Sequence, residues 1–547
     1  MPKRKYRIGL IVDAPEVAKW VQDLADWANA HPAIELAAVV VAPTSEGLLD
    51  KLYRLESKLL CRGNGYRSHA ARQPIGAVAP LQVEAVHIDR VADLNLDALV
   101  HCGRNRSAER LADVTRDGIV SISSDGFGEI VAGRAETAFT IDRVRRSREI
   151  PETLFSGSVA TALLYAWNMI ALQSRAFQYL RLTLEQLAAG RAEAIAATPR
   201  VSTPPTAGAL LAYVVRTGQR SIAKMLRRLL GQEFNWQVAV SEHPWADCRF
   251  GEARVVPNPP NAFLADPFTI TVDGATYLFV EEFPYDTRKG VISAYRFDGA
   301  EAARIGVVLE EPYHLSFPFV FEHKGEVYMV PEGGGGRSVK LYKSASFPAG
   351  WREVKILLSD VPAVDTLLFE HDSRWWMLTT IQGDGPGLNN AELHAFHADD
   401  PLGEWTPHEQ NPIVMDAGKG RNGGFVRDSD GQPCRVAQVP GFTFYGAGSA
   451  VYRIDELTPE SYRETLVKRV EPSFFAKLDG THHLHCAGGM TVFDFVRVER
   501  PRRPGRRLLT RLVSRRMDAP RGFEPRLTES ESVVLPLDDG AAWEAAG

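Results

Sequence analysis

The sequence lacks the features that mark several classes of protein. Its 547 residues include 5 cysteines, none of them in a C-x-x-C pair, so neither a disulfide framework nor a structural zinc site is indicated. The formal net charge of -5 leaves no basic excess for binding nucleic acid. We therefore expect a protein of a reducing compartment that has no nucleic acid partner.

Long apolar runs are also missing. The basic N-terminus precedes a short strand-like run, which is not the apolar stretch of a signal peptide. The longest apolar stretch, 159–172, is interrupted by Trp167 and Asn168. It is shorter than the ~20 residues that a membrane span needs, so we interpret it as a buried helix. These absences predict a cytoplasmic protein, and a peripheral position at the inner membrane face is left open.

The features that are present predict a multidomain protein, because 547 residues exceed what one hydrophobic core supports. β-Branched runs alternate with helical patterns up to about residue 150, as in a parallel sheet with crossover helices. The expected segments are an α/β domain at 1–150, a helical segment with a proline-rich linker at 151–233, an all-β domain at 234–497 and a basic, partly disordered tail at 498–547.

An amphipathic helix is expected after the linker. Ile222, Met225, Leu226, Leu229 and Leu230 recur at helical spacing, with basic residues on the opposite face. We favour an interpretation in which the apolar face docks against a domain. Contact with a membrane is the alternative.

An internal repeat runs through the all-β segment. Five units align on their turns at Tyr277, Tyr328, Trp376, Cys434 and His483, which are separated by 51, 48, 58 and 49 residues. A period of about 50 residues in β-rich sequence is typical of a propeller with about four strands in each blade. Five units predict a five-bladed β-propeller.

Two rings of equivalent positions are expected at one mouth, because the inner strand of each blade lines the axis. Eleven residues before the aligned position lie Asp266, Phe317, Asp365, Gly423 and Pro472. Four residues after it lie Glu281, Glu332, Thr380, Gln438 and Ala487. An acid at the end of an apolar strand is costly without a partner or a role, although a solvated strand end accounts for each acid alone. Acids in both rings indicate chemistry at this mouth, with Asp266 as the first candidate.

The motifs of this segment resemble those of carbohydrate-active propellers. They are A-D-P-F at 265–268, H-L-S-F-P-F at 314–319, P-E-G at 331–333, P-A-V-D-T-L-L-F-E-H-D at 362–372 and G-T-H-H-L-H at 480–485. The segment is similar to five-bladed arabinanase, β-xylosidase-like and levanase-invertase glycoside hydrolases. It more closely resembles the propeller in front of plant glucosamine inositolphosphorylceramide transferases and related bacterial polysaccharide-locus proteins.

This resemblance implies catalytic roles for three residues. Asp266 looks like the base or nucleophile of the hydrolases, and Asp365 looks like the carboxylate that tunes the pKa of their acid. Where the hydrolases supply that acid, the fourth blade offers Arg421 and Asn422 and no carboxylate. We therefore predict Asp266, Asp365 and Glu332 as the catalytic residues, with Glu332 as the substitute acid.

Further residues are predicted to bind the substrate. They are Glu281, Arg421, Gln438 and His482. The guanidinium of Arg421 suits a phosphate or carboxylate group. We predict no metal ligands and no cofactor, and a divalent or axial cation is the alternative.

The first domain resembles a different family. Y-R-I-G-L-I-V-D-A-P-E-V-A at its start is similar to the first strand and turn of methionyl-tRNA formyltransferase-like domains, which are Rossmann-like. That resemblance implies an Asn and a His where this sequence has Ser121 and Ser123, and the later acidic motif is missing. A G-x-G-x-x-G fingerprint is also absent. We predict a folded domain without catalytic activity.

These observations together predict a carbohydrate-active protein in surface polysaccharide or glycolipid synthesis, with glycosyl transfer or sugar handling at the propeller axis. We favour an enzyme. The alternatives are an arabinanase-like hydrolase and a non-catalytic glycan-binding scaffold. The expected partners are a sugar, a glycolipid or a polysaccharide.

The tail after residue 497 is rich in arginine and proline. We favour a solvated, partly disordered segment. The alternative is a basic amphipathic helix that lies on an anionic membrane surface, where lipid-linked glycans are assembled.

Overall fold

The computed structural model describes residues 4–61, 66–75, 82–84, 88–103, 105–124, 126–145, 150–196, 205–229, 233–299, 301–333, 337–382 and 392–499. These residues fall into two compact units, and the boundary between the units lies at residues 217 and 218. Each unit is described by itself below.

The first unit is an α/β domain. Its elements are β1 (Tyr6–Val12), β2 (Glu16–Ala18), α1 (Lys19–Ala30), β3 (Ile34–Val41), α2 (Leu48–Leu60), α3 (Tyr66–Ala70), β4 (Arg72–Pro74), β5 (Gln82–Glu84), α4 (Ile88–Ala92), β6 (Ala98–His101), β7 (Ile119–Ser123), α5 (Phe127–Ala132), β8 (Glu136–Val144), β9 (Glu152–Ala160) and α6 (Tyr165–Ala188), with a 3-10 helix at Arg106–Val114.

Seven of these strands form one mixed sheet in the order β5-β3-β1-β6-β7-β8-β9. The first five run parallel, and β8 and β9 are antiparallel to their neighbours. The interior strand β1 is buried along almost its whole length, as expected for a strand covered on both faces. The predicted α/β class is confirmed, and the sheet extends past residue 150 through β9. The formyltransferase-like and Rossmann-like character stays a prediction.

The apolar stretch at 159–172 leads into α6, whose first half is buried. The buried Glu56 carboxylate accepts a hydrogen bond from the backbone N–H of Ala166 at 2.8 Å, so it caps the first turn of this helix. The Tyr213 hydroxyl donates to the same carboxylate. Burial raises the pKa of Glu56, and these donors oppose that rise.

The second unit is all-β after one long helix that crosses the boundary. Its elements are α7 (Ala207–Leu229), β10 (Glu233–Ser241), β11 (Arg254–Val256), β12 (Ala262–Val272), β13 (Ala275–Pro284), β14 (Val291–Asp298), β15 (Glu301–Leu309), β16 (Leu315–His323), β17 (Glu326–Gly333), β18 (Ser338–Ser346), β19 (Ala349–Ser359), β20 (Ala363–His371), β21 (Arg374–Ile381), β22 (Glu392–Ala398), β23 (Thr406–Pro407), β24 (Val414–Met415), β25 (Asn422–Arg427), β26 (Pro433–Gly441), β27 (Phe444–Leu457), β28 (Tyr462–Val470), β29 (Leu484–Ala487) and β30 (Met490–Glu499), with a 3-10 helix at Phe250–Glu252.

Five antiparallel sheets make up this unit. Four contain consecutive strands: β12 to β15, β16 to β19, β20 to β23 with β24, and β25 to β28. The fifth has the order β11-β10-β30-β29, so it joins the first strand of the propeller to its last two. The pairing of β10 with β30 runs from Glu233↔Glu499 to Ser241↔Thr491 and closes the ring. The predicted five-bladed propeller is confirmed.

The predicted register holds in three blades and fails in the fifth. Tyr277, Tyr328 and Trp376 are each the third residue in the second strand of a blade. In the fifth blade the hairpin turn is Gly488 and Gly489, so Val492 occupies this position and His483 precedes the inner strand.

The D-G pair at 479–480 caused the error in the fifth blade. It looks like a hairpin turn in sequence, but Gly480 forms a bridge with Val496 instead. Pro472 and Ala487 are therefore not members of the two rings, and Thr481 and Val496 take their places.

The fourth blade is shifted by one residue, because its first hairpin is one residue shorter between the equivalent pairs Phe425↔Arg435 and Phe268↔Phe279. Ala437 pairs with Asn422 there, in the place where Glu281 pairs with Ala265 in the first blade. Gln438 and Cys434 are each one position beyond the true equivalents.

The interpretation of α7 as a helix docked through its apolar face is wrong. Ile222, Met225 and Leu226 are 60%, 56% and 51% exposed. Leu230 and the basic tail lie outside the described residues. No helix among the described ranges is long and apolar enough to cross a membrane.

A buried ion pair stabilises the fourth blade. Arg435 on β26 is fully buried, and its Nη2 lies 2.9 Å from Oε2 of Glu464 on β28. Replacing Arg435 by Met leaves a buried carboxylate without its main counter-charge, so we expect a loss of about 3–5 kcal/mol in the free energy of unfolding. A urea titration followed by tryptophan fluorescence measures this loss.

Arg453→Met is the matched control, because its pair with Asp455 lies at the surface. We expect it to leave the unfolding curve nearly unchanged. Equal effects of the two substitutions would contradict a structural role for the buried pair.

Candidate active site at one mouth of the propeller

Three β-bulges aim side chains into the mouth. Each interrupts the pairing of an inner strand with its neighbour, at Asp266 on β12, Phe317 on β16 and Asp365 on β20. The φ angles of these residues are +49°, +47° and +51°, in the left-handed region that residues other than glycine seldom adopt. A bulge of this kind turns a side chain out of the normal alternation of a strand. The D-P pair and the V-D-T motif therefore present their carboxylates at the axis.

Asp494 and His482 hold the first of these carboxylates. Nε2 of His482 lies 3.2 Å from Oδ1 of Asp266, and its Nδ1 lies 2.9 Å from Oδ2 of Asp494. Asp494 is fully buried on β30 and accepts hydrogen bonds from the backbone N–H groups of Asp266, His482 and His483 at 3.3, 3.0 and 3.0 Å. The imidazole is therefore held between two aspartates.

This arrangement fixes the charges of the group. Burial alone would lower the pKa of His482, but Asp494 and Asp266 raise it well above its usual value. Burial alone would raise the pKa of Asp266, but the hydrogen bonds and charges of His482 and His483 hold it below its usual range. Asp266 is thus an ionised carboxylate beside an imidazolium.

The same three residues have the composition of a cation site. One ligand atom each from Asp266, His482 and Asp494 lies within 4.8 Å of the others. The oxygen and imidazole donors would suit a divalent metal ion with a neutral His482. These are the residues that would hold the axial cation left open from sequence.

Asp365 forms the second centre of charge. Nε of Arg421 donates to its Oδ2 at 2.5 Å, and Nε2 of Gln438 lies 3.4 Å from the same oxygen. Arg421 is 8% exposed, and its Nη1 has no hydrogen-bond partner among the described residues; the same holds for Oε1 of Gln438. Arg421 therefore neutralises Asp365 and keeps one donor for a ligand.

Glu332 lies beside Asp365. Its Oε2 accepts a hydrogen bond from the backbone N–H of Asp365 at 3.3 Å. Burial raises the pKa of Glu332 well above its usual value, the charge of Asp365 adds to this, and Arg421 opposes it. The charge of Asp266 also contributes to the rise, so both predicted catalytic aspartates act on the Glu332 carboxyl. The mouth thus pairs a carboxyl that favours its protonated form with an ionised Asp266.

Glu281 lies at the edge of this centre. Its Oε1 is 3.4 Å from Nε2 of His314, and Nδ1 of His314 accepts the backbone N–H of Gly290 at 2.9 Å. Burial lowers the pKa of His314, and Asp266 opposes that shift. The neutral ring therefore carries its proton on Nε2, facing Glu281.

Aromatic rings border the same mouth. Trp236 packs on His482 with ring centroids 4.1 Å apart, and the guanidinium of Arg421 lies 5.1 Å from the ring of Tyr445. Phe263 and Phe283 stack at 4.8 Å, with 11° between their planes. These rings give the acidic mouth an apolar border.

The seven predicted site residues all lie around this mouth, linked through the contacts above, and their roles stay predictions. Sequence analysis missed Asp494 and His314. Asp494 is an acid within an apolar run, which is the same signal that points to Glu281. The alignment of the fifth repeat on the wrong turn hides it. His314 opens a quoted motif but lies outside both rings.

Solved structures similar to this chain include glycoside hydrolases. A family 117 glycoside hydrolase from Zobellia galactanivorans has a TM-score of 0.32 and 13% identity, covering 48% of this chain and 90% of that one. The catalytic domain of a GH62 alpha-L-arabinofuranosidase from Coprinopsis cinerea has a TM-score of 0.32 and 14% identity, covering 47% and 85%.

Curated relatives come from plants. Glucosamine inositolphosphorylceramide transferase 1 of Oryza sativa subsp. japonica is 37% identical over 212 residues, which are 38% of this chain and 28% of the relative. The protein of the same name from Arabidopsis thaliana is 37% identical over 214 residues, with the same shares of 38% and 28%. The matched region therefore spans little more than a quarter of these relatives.

A family model matches most of the propeller. Residues 233–477 fit the family described as glucosamine inositolphosphorylceramide transferase 1, N-terminal. The match runs from β10 to the end of the fourth blade and stops before His482 and Asp494. The resemblance of the propeller motifs to this transferase domain is therefore confirmed.

Proposed function

We propose that the propeller is a carbohydrate-active enzyme that transfers a sugar to or from the polar headgroup of a glycolipid. The observation that carries the proposal is the contact of Glu332 with Asp365 beside the ionised Asp266. The curated relatives support a glycolipid substrate through their name, which specifies an inositolphosphorylceramide transferase.

Glu332 is proposed as the group that exchanges a proton with the substrate. A carboxyl with a raised pKa holds its proton closer to neutral pH, so it can protonate a leaving oxygen or, once ionised, accept the proton of an attacking hydroxyl. The Asp365–Arg421 pair sets the charge next to it. Changing that pair would shift the pH at which Glu332 gives up its proton.

Asp266 is proposed to face the anomeric carbon. Sugar transfer passes through a transition state with positive charge on the ring, and an ionised carboxylate stabilises that charge or attacks the carbon directly. His482 and Asp494 keep Asp266 ionised and fixed in place. The aromatic border of Phe263 and Phe283 would pack against a sugar ring.

Hydrolysis is the second candidate, because an acid and a carboxylate are also the tools of glycoside hydrolases. The fourth blade argues against the ordinary hydrolytic arrangement, since the segment 418–425 around its bulge contains no acid and Arg421 binds Asp365 there. The free Nη1 of Arg421 suits a phosphate group, which an inositol phosphate headgroup carries.

Substitution of the two acids tests the proposal. We expect Asp266→Asn and Glu332→Gln each to lower sugar transfer by about 10²–10⁴-fold, since general acid-base and charge stabilisation contribute that much. The assay follows transfer of a labelled sugar between nucleotide or lipid donors and inositol-phosphate lipids, with release from aryl glycosides measured in parallel.

Glu322→Gln is the control, because Glu322 is exposed on β16 away from the mouth. Release of free sugar by the wild type without transfer would favour the hydrolase. If neither acid substitution changes turnover or sugar affinity, the active-site proposal fails and a binding module remains.

Glu332 also predicts a dependence of stability on pH. A carboxyl whose pKa is raised by folding contributes its full stability below its unfolded pKa and loses it as the pH rises through the folded value. Glu332→Gln removes this loss, so its Tm should exceed that of the wild type at pH 8. Each unit of upward pKa shift is worth about 1.4 kcal/mol.

The difference should shrink at pH 4 to 5, where the wild-type carboxyl is protonated. Differential scanning fluorimetry across this range measures it. A Tm of Glu332→Gln below that of the wild type at pH 8 would show that Glu332 is a structural anion and not a poised acid.

A further inference from the structure

An exposed apolar stripe runs along α7. It consists of Leu211, Val214, Val215, Ile222, Met225 and Leu226. Their side chains are between 47% and 66% exposed. A helix of a soluble domain normally buries such a stripe, because moving each large apolar side chain out of water lowers the free energy of the protein.

The stripe is continuous. At 3.6 residues per turn the six side chains fall within an arc of about 120°, and from the first to the last they extend along about 22 Å of helix. The opposite side of the helix faces the protein through the buried Tyr213 and Thr217. The helix therefore lies flat with one apolar side outward.

The charge of α7 has one sign. The helix contains Arg216, Arg220, Lys224, Arg227 and Arg228 and no acidic residue. By the same helical geometry these basic residues lie on the side opposite the stripe, where Arg216 and Arg227 are exposed. An apolar side opposite a polar side with only basic charge is the pattern of a helix that lies in the interface of an anionic bilayer, with its apolar side in the acyl boundary.

The second half of α7 contacts the hairpin at the candidate site. The guanidinium of Arg220 lies 4.2 Å from the ring centroid of Phe442. Phe442 lies in the turn between β26 and β27, and Tyr445 of the same hairpin covers Arg421 at the mouth. A surface that binds α7 is thus brought close to the mouth of the propeller.

We propose that α7 is a membrane-binding helix that attaches this protein to an anionic lipid surface. The positive charge of α7 disfavours two other partners for the stripe, a second copy of the chain and the tail. A second copy would bring a helix of the same positive sign, and the sequence of the tail from 502 to 516 is also rich in arginine. Anionic lipid supplies both the apolar layer and the negative charge. The proposal does not rest on the transfer reaction.

Vesicle flotation with the full chain tests the proposal. We expect binding to vesicles of phosphatidylcholine with phosphatidylglycerol, weaker binding at high salt and little binding to phosphatidylcholine alone. The triple variant Val214→Gln, Ile222→Gln and Leu226→Gln should lower the partition coefficient on anionic vesicles by at least about ten-fold.

The matched control is Ile305→Gln, Val307→Gln and Ile356→Gln. These residues are 47%, 48% and 47% exposed on the outer strands of two blades, and their replacement should leave vesicle binding unchanged. Circular dichroism checks that both variants are folded.

A third variant separates α7 from the tail. It replaces Arg502, Arg503, Arg506 and Arg507 by Gln, and we expect it to keep most of the binding. Loss of binding in this variant with full binding in the α7 variant would overturn the proposal in favour of the tail. Absence of wild-type binding to anionic vesicles, or an α7 variant that binds like the wild type, would also overturn it. A wild-type dimer that the α7 variant converts to a monomer, without lipid binding, would assign the stripe to a second copy.

Discussion

The candidate site depends on one buried carboxylate, that of Asp494. It lies on the strand that closes the propeller, and it accepts hydrogen bonds from the backbone of the first blade and from the segment before the last inner strand. It also holds the His482 ring against Asp266. A buried charge with this many partners is stable only when all of them are in position. Closure of the ring and assembly of the mouth are therefore the same event.

Two ion pairs and one carboxyl with a raised pKa make up the charges around the axis. An imidazolium stands between two aspartates at the first blade, and a guanidinium stands beside an aspartate between the third and fourth. Glu332 lies between these two ion pairs, and burial together with the nearby anions raises its pKa. Carboxyls with perturbed pKa values cluster at functional sites, because catalytic acids and bases need pKa values matched to their reaction. The left-handed bulges at Asp266, Phe317 and Asp365 add backbone strain at the same place.

Much of the propeller could be predicted from sequence, because the repeat of about 50 residues reflects the physical period of a blade. Asp266, Asp365 and Glu332 were found because three hairpins share one length. The fifth blade could not be aligned, because its strands come from both ends of the propeller and a D-G pair imitates its turn. The stripe on α7 shows a different limit. Periodicity identifies an apolar face, but it does not tell what covers that face.

The joining of β10 to β30 also sets the order in which the protein can acquire its chemistry. Glu233 pairs with Glu499, so the two central strands of the fifth blade are separated in sequence by almost the whole length of the propeller. Contacts this distant in sequence form late in folding, because the loop between them must be closed first. During synthesis Asp266 is made long before Asp494, and it has no imidazole to hold its charge until the final strand arrives. An unfinished or clipped chain would thus carry four blades and an unassembled candidate site, which couples the assembly of the site to the completeness of the ring.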